Sequence, residues 1–78
     1  MENMMEQIND TFGTDYAYET TTGRYPEIVD YDLGQAVYYP THIDAANAMR
    51  RALRLATQIS ASDLWRVLCS TACGVYAR

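Results

Sequence analysis

Lysine is absent from this sequence, all six basic residues being arginine, and histidine and tryptophan occur once each. No apolar run approaches the roughly 18–20 residues of a membrane-spanning helix. The opening MENMMEQ has no basic segment leading into an apolar one, so no secretion signal is expected and the chain is expected to work in the cytoplasm. Cys69, Cys73 and His42 stand at no zinc-binding spacing, which leaves no metal or cofactor to expect. No nucleophile or carboxylate lies at motif distance from His42, so an enzyme is not expected either. There is no repeat, linker or low-complexity block, and residues 1–78 read as a single domain. A chain this short buries only about 60–65% of the surface its unfolded form exposes. Its core is expected to supply roughly 3–5 kcal/mol, which makes association with a partner or a second copy a natural source of further stability.

What is present is unevenly distributed. Residues 1–40 carry eight acids against one arginine, a net charge of −7, while residues 41–78 carry two acids against five arginines, a net charge of +3. Six of the seven tyrosines fall between Tyr16 and Tyr39, interleaved with Asp15, Glu19, Glu27, Asp30 and Asp32. Such electrical polarity bears on partners and association rates rather than on fold.

The segment ENMMEQINDTFG sets Met4, Met5, Ile8 and Phe12 at helical spacing and ends on Gly13, the residue type favoured just past a helix. From Thr14 to Pro40 the chain is rich in β-branched and aromatic residues, with turn signals at Thr22-Gly23 and Asp32-Leu33-Gly34. This predicts a three-stranded antiparallel meander over about 15–21, 26–31 and 35–39, with Pro26 forcing a late start or an edge position on the second strand. After Pro40 the period changes. Thr41 and Asp44 form a capping box ahead of an apolar stripe of Ala45, Met49, Ala52, Leu53, Ala56 and Ile59, opposite Arg50, Arg51 and Arg54. Ser60 with Asp63 opens another helix, predicted to run to about Ala77. The expected order is α-β-β-β-α-α, an α+β domain with a short N-terminal helix and two C-terminal helices packed on one face of the sheet.

Alternate residues of a strand share a face, so Tyr16, Tyr18 and Thr20 oppose Asp15, Ala17 and Glu19. Burying aromatic rings is favourable, whereas burying unpaired carboxylates costs several kcal/mol each. The same test on the second strand sends Val29 and Tyr31 inward and Ile28, Asp30 and the following Asp32 outward, leaving Glu27 as a misfit on the Val29 side. The outer face is then expected to present Asp15, Glu19, Ile28, Asp30, Asp32 and one of Tyr38 or Tyr39. It serves either simply to keep the sheet soluble or to bind a basic, nucleic-acid-binding protein, tyrosine supplying contact area at low entropic cost. The acid excess argues against direct nucleic-acid binding. The ladder of Arg50, Arg51 and Arg54 either grips an anion, stays solvated, or pairs with an acidic sheet.

On a helix reaching Ala77, Arg66, Ser70 and Ala77 span a narrow polar arc that contains Cys73, with Cys69 at its edge toward Trp65. Cys73 is then the more exposed thiol, both thiols are expected to be reduced, and a homodimer is expected through Trp65, Cys69 and Cys73. In its small size, acidity, α+β order and exposed YETTTGRYPEIVDYDLGQAVYYP segment, the chain resembles the phage and mobile-element inhibitors of bacterial defence, above all anti-CRISPR proteins. The resemblance is one of profile and carries no residue assignments. It implies a stoichiometric inhibitor in the host bacterial cytoplasm that binds a Cascade-type or Cas effector and blocks its DNA target. A small adaptor, an antitoxin-like regulator or a structural accessory protein is the alternative.

Overall fold

A computed structural model describes residues 2–20 and 25–78. Helix α1 (Glu2–Phe12) leads into strands β1 (Tyr16–Glu19), β2 (Glu27–Asp30) and β3 (Gln35–Tyr38). Helices α2 (His42–Arg54) and α3 (Ala61–Cys69) follow, and strand β4 (Gly74–Ala77) closes the chain. The sheet is antiparallel throughout in the order β1-β2-β3-β4. The fold is α+β with the predicted meander at its centre, and no described helix is long and apolar enough to cross a membrane.

Local chemistry sets each boundary. Gly13 ends α1 at φ 71, a backbone conformation that a residue with a Cβ adopts at a cost, while its amide donates to the Asn9 carbonyl. The Asn9 side chain then takes the place of a strand partner: its Oδ1 accepts the Tyr16 amide and its Nδ2 donates to the Tyr16 carbonyl, both at 2.9 Å. Pro26 delays β2 to Glu27 yet still contributes a carbonyl, which accepts the Tyr39 amide at 3.0 Å. Thr41 caps α2 by accepting the Asp44 amide at 3.2 Å. The Thr22-Gly23 turn, and the last residue of the predicted first strand, lie outside the described residues.

The last segment departs from expectation. Helix α3 stops at Cys69, a turn follows, and the Cys73 amide donates to the Tyr38 carbonyl at 2.8 Å, starting β4 along the free edge of β3. The stretch from Thr71 to Tyr76 holds a threonine, a glycine, a valine and a tyrosine, residues that disfavour helix and suit a strand once an unpaired edge is available. Its helical-looking spacing lost to the hydrogen bonds that β3 offers.

One core lies between the helices and one sheet face. It joins Met5 and Ile8 of α1, Ile28, Val37 and Tyr39 from the sheet, Ala45, Ala48, Met49 and Ala52 of α2, and Leu64 and Leu68 of α3. Tyr16, Tyr18 and Trp65 close its rim, Tyr16 meeting the Trp65 ring edge-on at 5.4 Å between centroids.

Burial raises the pKa of several ionisable groups at this core. Desolvation is the leading cause in each: Tyr16 is pushed up to about 12, with Asp30 next in effect, and Tyr18, Tyr39 and the Cys69 thiol are also raised. The folded chain therefore holds protons that the unfolded chain releases near 9.0 for the thiol and 10.0 for the phenols. Their contribution to stability is whole below those values and is lost as pH climbs through the raised ones. Urea midpoints are expected to hold steady up to about pH 9 and to fall steeply above it, as the unfolded chain loses protons that the folded chain retains. Midpoints that stay level well above the ordinary phenol value would contradict this.

Candidate functional site

Strand register assigns every sheet residue to a face. Tyr18, Ile28, Val37 and Val75 stand opposite one another across the four strands, as do Tyr16, Asp30, Gln35 and Ala77; these rows lie on the helix side, since Tyr16, Tyr18, Ile28 and Val37 belong to the core. The alternate rows, Ala17-Val29-Ala36-Tyr76 and Glu19-Glu27-Tyr38-Gly74, form the outer face.

The expected facing of β1 is found, with Tyr16 and Tyr18 inward and Ala17 and Glu19 outward. That of β2 is reversed. Ile28 is a fully buried core residue, and Asp30, only 5% exposed, points to the helix side, while Val29 and Glu27 face outward. Asp30 tolerates this because it ends the strand, and its Oδ1 accepts the amides of Asp32 at 3.0 Å and Leu33 at 3.2 Å. A carboxylate that caps its own turn is a satisfied group, not an unpaired charge. With Glu27 on the outer face, the misfit noted in the sequence disappears. Tyr39 is also corrected from surface to core: it is fully buried and its hydroxyl donates to the Leu68 carbonyl at 2.5 Å. Of the proposed binding set, Glu19 and Tyr38 lie on the outer face, whereas Asp15 and Asp32 are exposed at the end of the sheet marked by the β2–β3 turn.

The outer face is paved with tyrosine. Tyr25 and Tyr31 are 58% and 56% exposed, and Tyr76 is 40% exposed. Tyr38 stacks on Tyr25 with centroids 5.7 Å apart and meets Tyr76 at 6.1 Å with a 56° tilt. Arg78 threads between the carboxylates: Nη2 lies 2.7 Å from Glu19, Nη1 lies 3.6 Å from Glu27, and the guanidinium sits 5.9 Å from the Tyr31 ring centre. The Tyr31 hydroxyl donates to Glu19 and that of Tyr76 to Glu27. Arg78 starts beside Gly34, whose carbonyl accepts its amide at 2.7 Å, and its head reaches glutamates at the far row. Its stem, with Tyr31, therefore lies over the short side chains between, which explains why outward-facing Val29 is only 1% exposed.

Tyr31, expected to point inward with Val29, lies instead on the outer face, and Tyr25, Tyr76 and Arg78 join it from outside the expected binding set. Tyr76 and Arg78 join the face only because β4 is a strand, and the β-favouring run around Val75 was the available signal. Cys73 is the exposed thiol and Cys69 is partly buried, as expected, but α3 ends at Cys69, so no helical arc joins Cys73 to Trp65 and Cys69. Arg50, Arg51 and Arg54 line a 330 Å³ groove on α2 with Asp44, Asn47, Ala48 and Thr71. Arg50 donates to Asn47 at 3.1 Å, and among the described residues none of the three forms a salt bridge, so they do not fold back onto the chain's own acidic sheet. His42 lies with Nδ1 2.6 Å from the Tyr18 hydroxyl, and among the described residues no three His, Cys, Asp or Glu side chains converge as metal ligands would.

Fold and face together define a small α+β domain with helices on one side of a sheet and a tyrosine-rich surface on the other. No protein-family model matches the chain, and no curated protein or solved structure matches it.

Proposed function

We propose that the chain acts as a stoichiometric protein inhibitor, docking its outer sheet face on a basic nucleic-acid-binding effector of bacterial defence, of the CRISPR-Cas kind, and blocking its DNA target. One observation carries the reading: Tyr25, Tyr31, Tyr38 and Tyr76 share one side of a rigid sheet, with three of them well exposed and carboxylates among them. Tyrosine is enriched where protein interfaces bind most strongly, because it offers area and a hydrogen bond at small entropic cost. The acid-rich first half of the chain supports a basic partner. Glu19 and Glu27 already share Arg78, so the face resembles a contact surface more than a row of phosphates, which favours steric block over mimicry of DNA.

The test is affinity capture from a CRISPR-bearing bacterial host, followed by DNA-binding assays on the captured effector with purified chain added. At a one-to-one ratio the chain is expected to abolish DNA binding. Tyr31→Ala with Tyr38→Ala is expected to weaken capture by about thirtyfold, the size of a hot-spot loss of ~2 kcal/mol. Reversing the exposed Asp15 and Asp32 to lysine is expected to slow association and flatten its salt dependence while leaving the fold intact. Capture that survives the tyrosine substitutions, or an effector whose DNA binding is unchanged, would overturn the reading.

A further inference from the structure

We infer that a pocket walled by Tyr25, Tyr38, Tyr76 and Glu27 receives an arginine side chain of the docked protein. The inference rests on the outer face being a docking surface and specifies what that surface reads. The four residues line an open pocket of about 240 Å³ on the β3–β4 side of the face. Tyr25 and Tyr38, stacked with only 23° between their planes, leave no room between the rings, so an incoming group must lie against the open side of the pair. Tyr76, tilted by 56° to Tyr38, makes a second wall, and among the described lining residues Glu27 alone carries a formal charge. Phenol faces attract cations placed within about 6 Å of their centres, more strongly where water is partly excluded.

The adjoining half of the face already contains the same chemistry. There Arg78 stands over Tyr31 and pairs with Glu19, a guanidinium bound jointly by a phenol and a carboxylate. In the pocket a phenol pair and a carboxylate recur, and among the described residues no cation stands over Tyr25 or Tyr38. Glu27 uses Oε2 for both Arg78 and Tyr76, while its Oε1 accepts nothing from a described residue. Arginine fits this pocket better than lysine. Its planar head can lie on a phenol ring while its edge donates to a carboxylate, whereas an ammonium is a compact, strongly hydrated point charge.

Gly74 makes the arrangement possible. A Cβ there would stand 2.7 Å from the Tyr38 hydroxyl and 3.0 Å from two of its ring carbons, so any side chain would push the ring aside. Tyr38 can lie across β4 only because that position is glycine. The Tyr38 ring, the floor of the pocket, is thus positioned by a residue that touches no ligand.

Proton NMR titration of the purified chain with N-acetyl-arginine amide tests the assignment. Saturable shifts are expected in the ring protons of Tyr25 and Tyr38, with binding about fivefold tighter than for N-acetyl-lysine amide, as a flat cation on two phenols implies. Tyr25→Ala, at an exposed site, is expected to remove the binding while the methyl signals of Ile28 and Leu64 stay in place. Gly74→Ala is expected to weaken it with Tyr25 untouched. No saturable shift, equal binding of the lysine derivative, or undiminished binding by Tyr25→Ala would each overturn the pocket. Failures of the two readings separate cleanly. A captured effector that binds wild type and Tyr25→Ala alike defeats the pocket and leaves the docking face standing. A pocket that saturates with the arginine derivative on a chain that captures no basic effector supports the pocket and defeats the inhibitor reading.

Discussion

Replacing Tyr39 with alanine is expected to leave the chain unfolded at room temperature. Tyr39 heads the fully buried side chains by volume, and it directly follows β3 and reaches the last turn of α3. Removing a buried aromatic ring typically costs about 3–5 kcal/mol, which equals the entire stability a core of this size is expected to supply. The hydroxyl adds a separate term. It donates at 2.5 Å to the carbonyl of Leu68, in the last turn of α3 where the helix's own amides no longer reach. Tyr39→Phe keeps the ring and strands that carbonyl, at a cost of about 1–2 kcal/mol. Circular dichroism and urea denaturation should therefore find alanine unfolded and phenylalanine folded with a lowered midpoint. A phenylalanine variant as stable as wild type would mean that the link between sheet and helix adds nothing.

Reversing Asp30 is expected to abolish folding, whereas reversing Asp32, two residues away, is expected to leave stability within about 0.5 kcal/mol. The two carboxylates look equivalent in the sequence and differ wholly in place. Asp32 is exposed, but Asp30 is buried and accepts the amides of Asp32 and Leu33. Lysine at position 30 would strand both amides and bring an unpaired ammonium to the helix side of the sheet, a loss of several kcal/mol. Asp30→Ala removes only the turn bonds, for about 1–2 kcal/mol, and Asp30→Asn keeps an acceptor oxygen and should be the mildest of the three. The predicted order of urea midpoints is wild type and Asp32→Lys together, then Asp30→Asn, Asp30→Ala and Asp30→Lys. If Asp30→Lys folded as well as Asp32→Lys, the carboxylate would be a surface charge after all.

These two substitutions also mark where sequence reasoning succeeds and where it stops. Thr41 with Asp44, Gly13 and Pro26 all act through neighbours within a few residues, so their consequences for α2, α1 and β2 can be read along the chain. The facing of β1 follows from the same logic, since among the described residues its Glu19 is met by Tyr31 and Arg78 and caps no amide. Asp30 escapes that logic because a carboxylate beside the Asp32-Leu33-Gly34 turn has local amides to cap and is not an unpaired charge. One wrong assumption at one residue reverses a whole strand, since side chains alternate with a period of two.

The composition and periodicity of this chain determined an α+β domain with a three-stranded meander, a capped arginine-bearing helix and a tyrosine-rich acidic half, because propensity, capping and alternation are short-range effects. Only the tertiary structure decided that residues 74–77 are a strand, since the free edge of β3 that recruits them lies more than thirty residues back along the chain. That pairing brings Tyr76 and Arg78 beside Glu27, Glu19, Tyr31 and Tyr38 and so creates the outer face. A surface assembled from the middle of a chain and its last residues has no local pattern, because the contacts that define it form only after the sheet has closed.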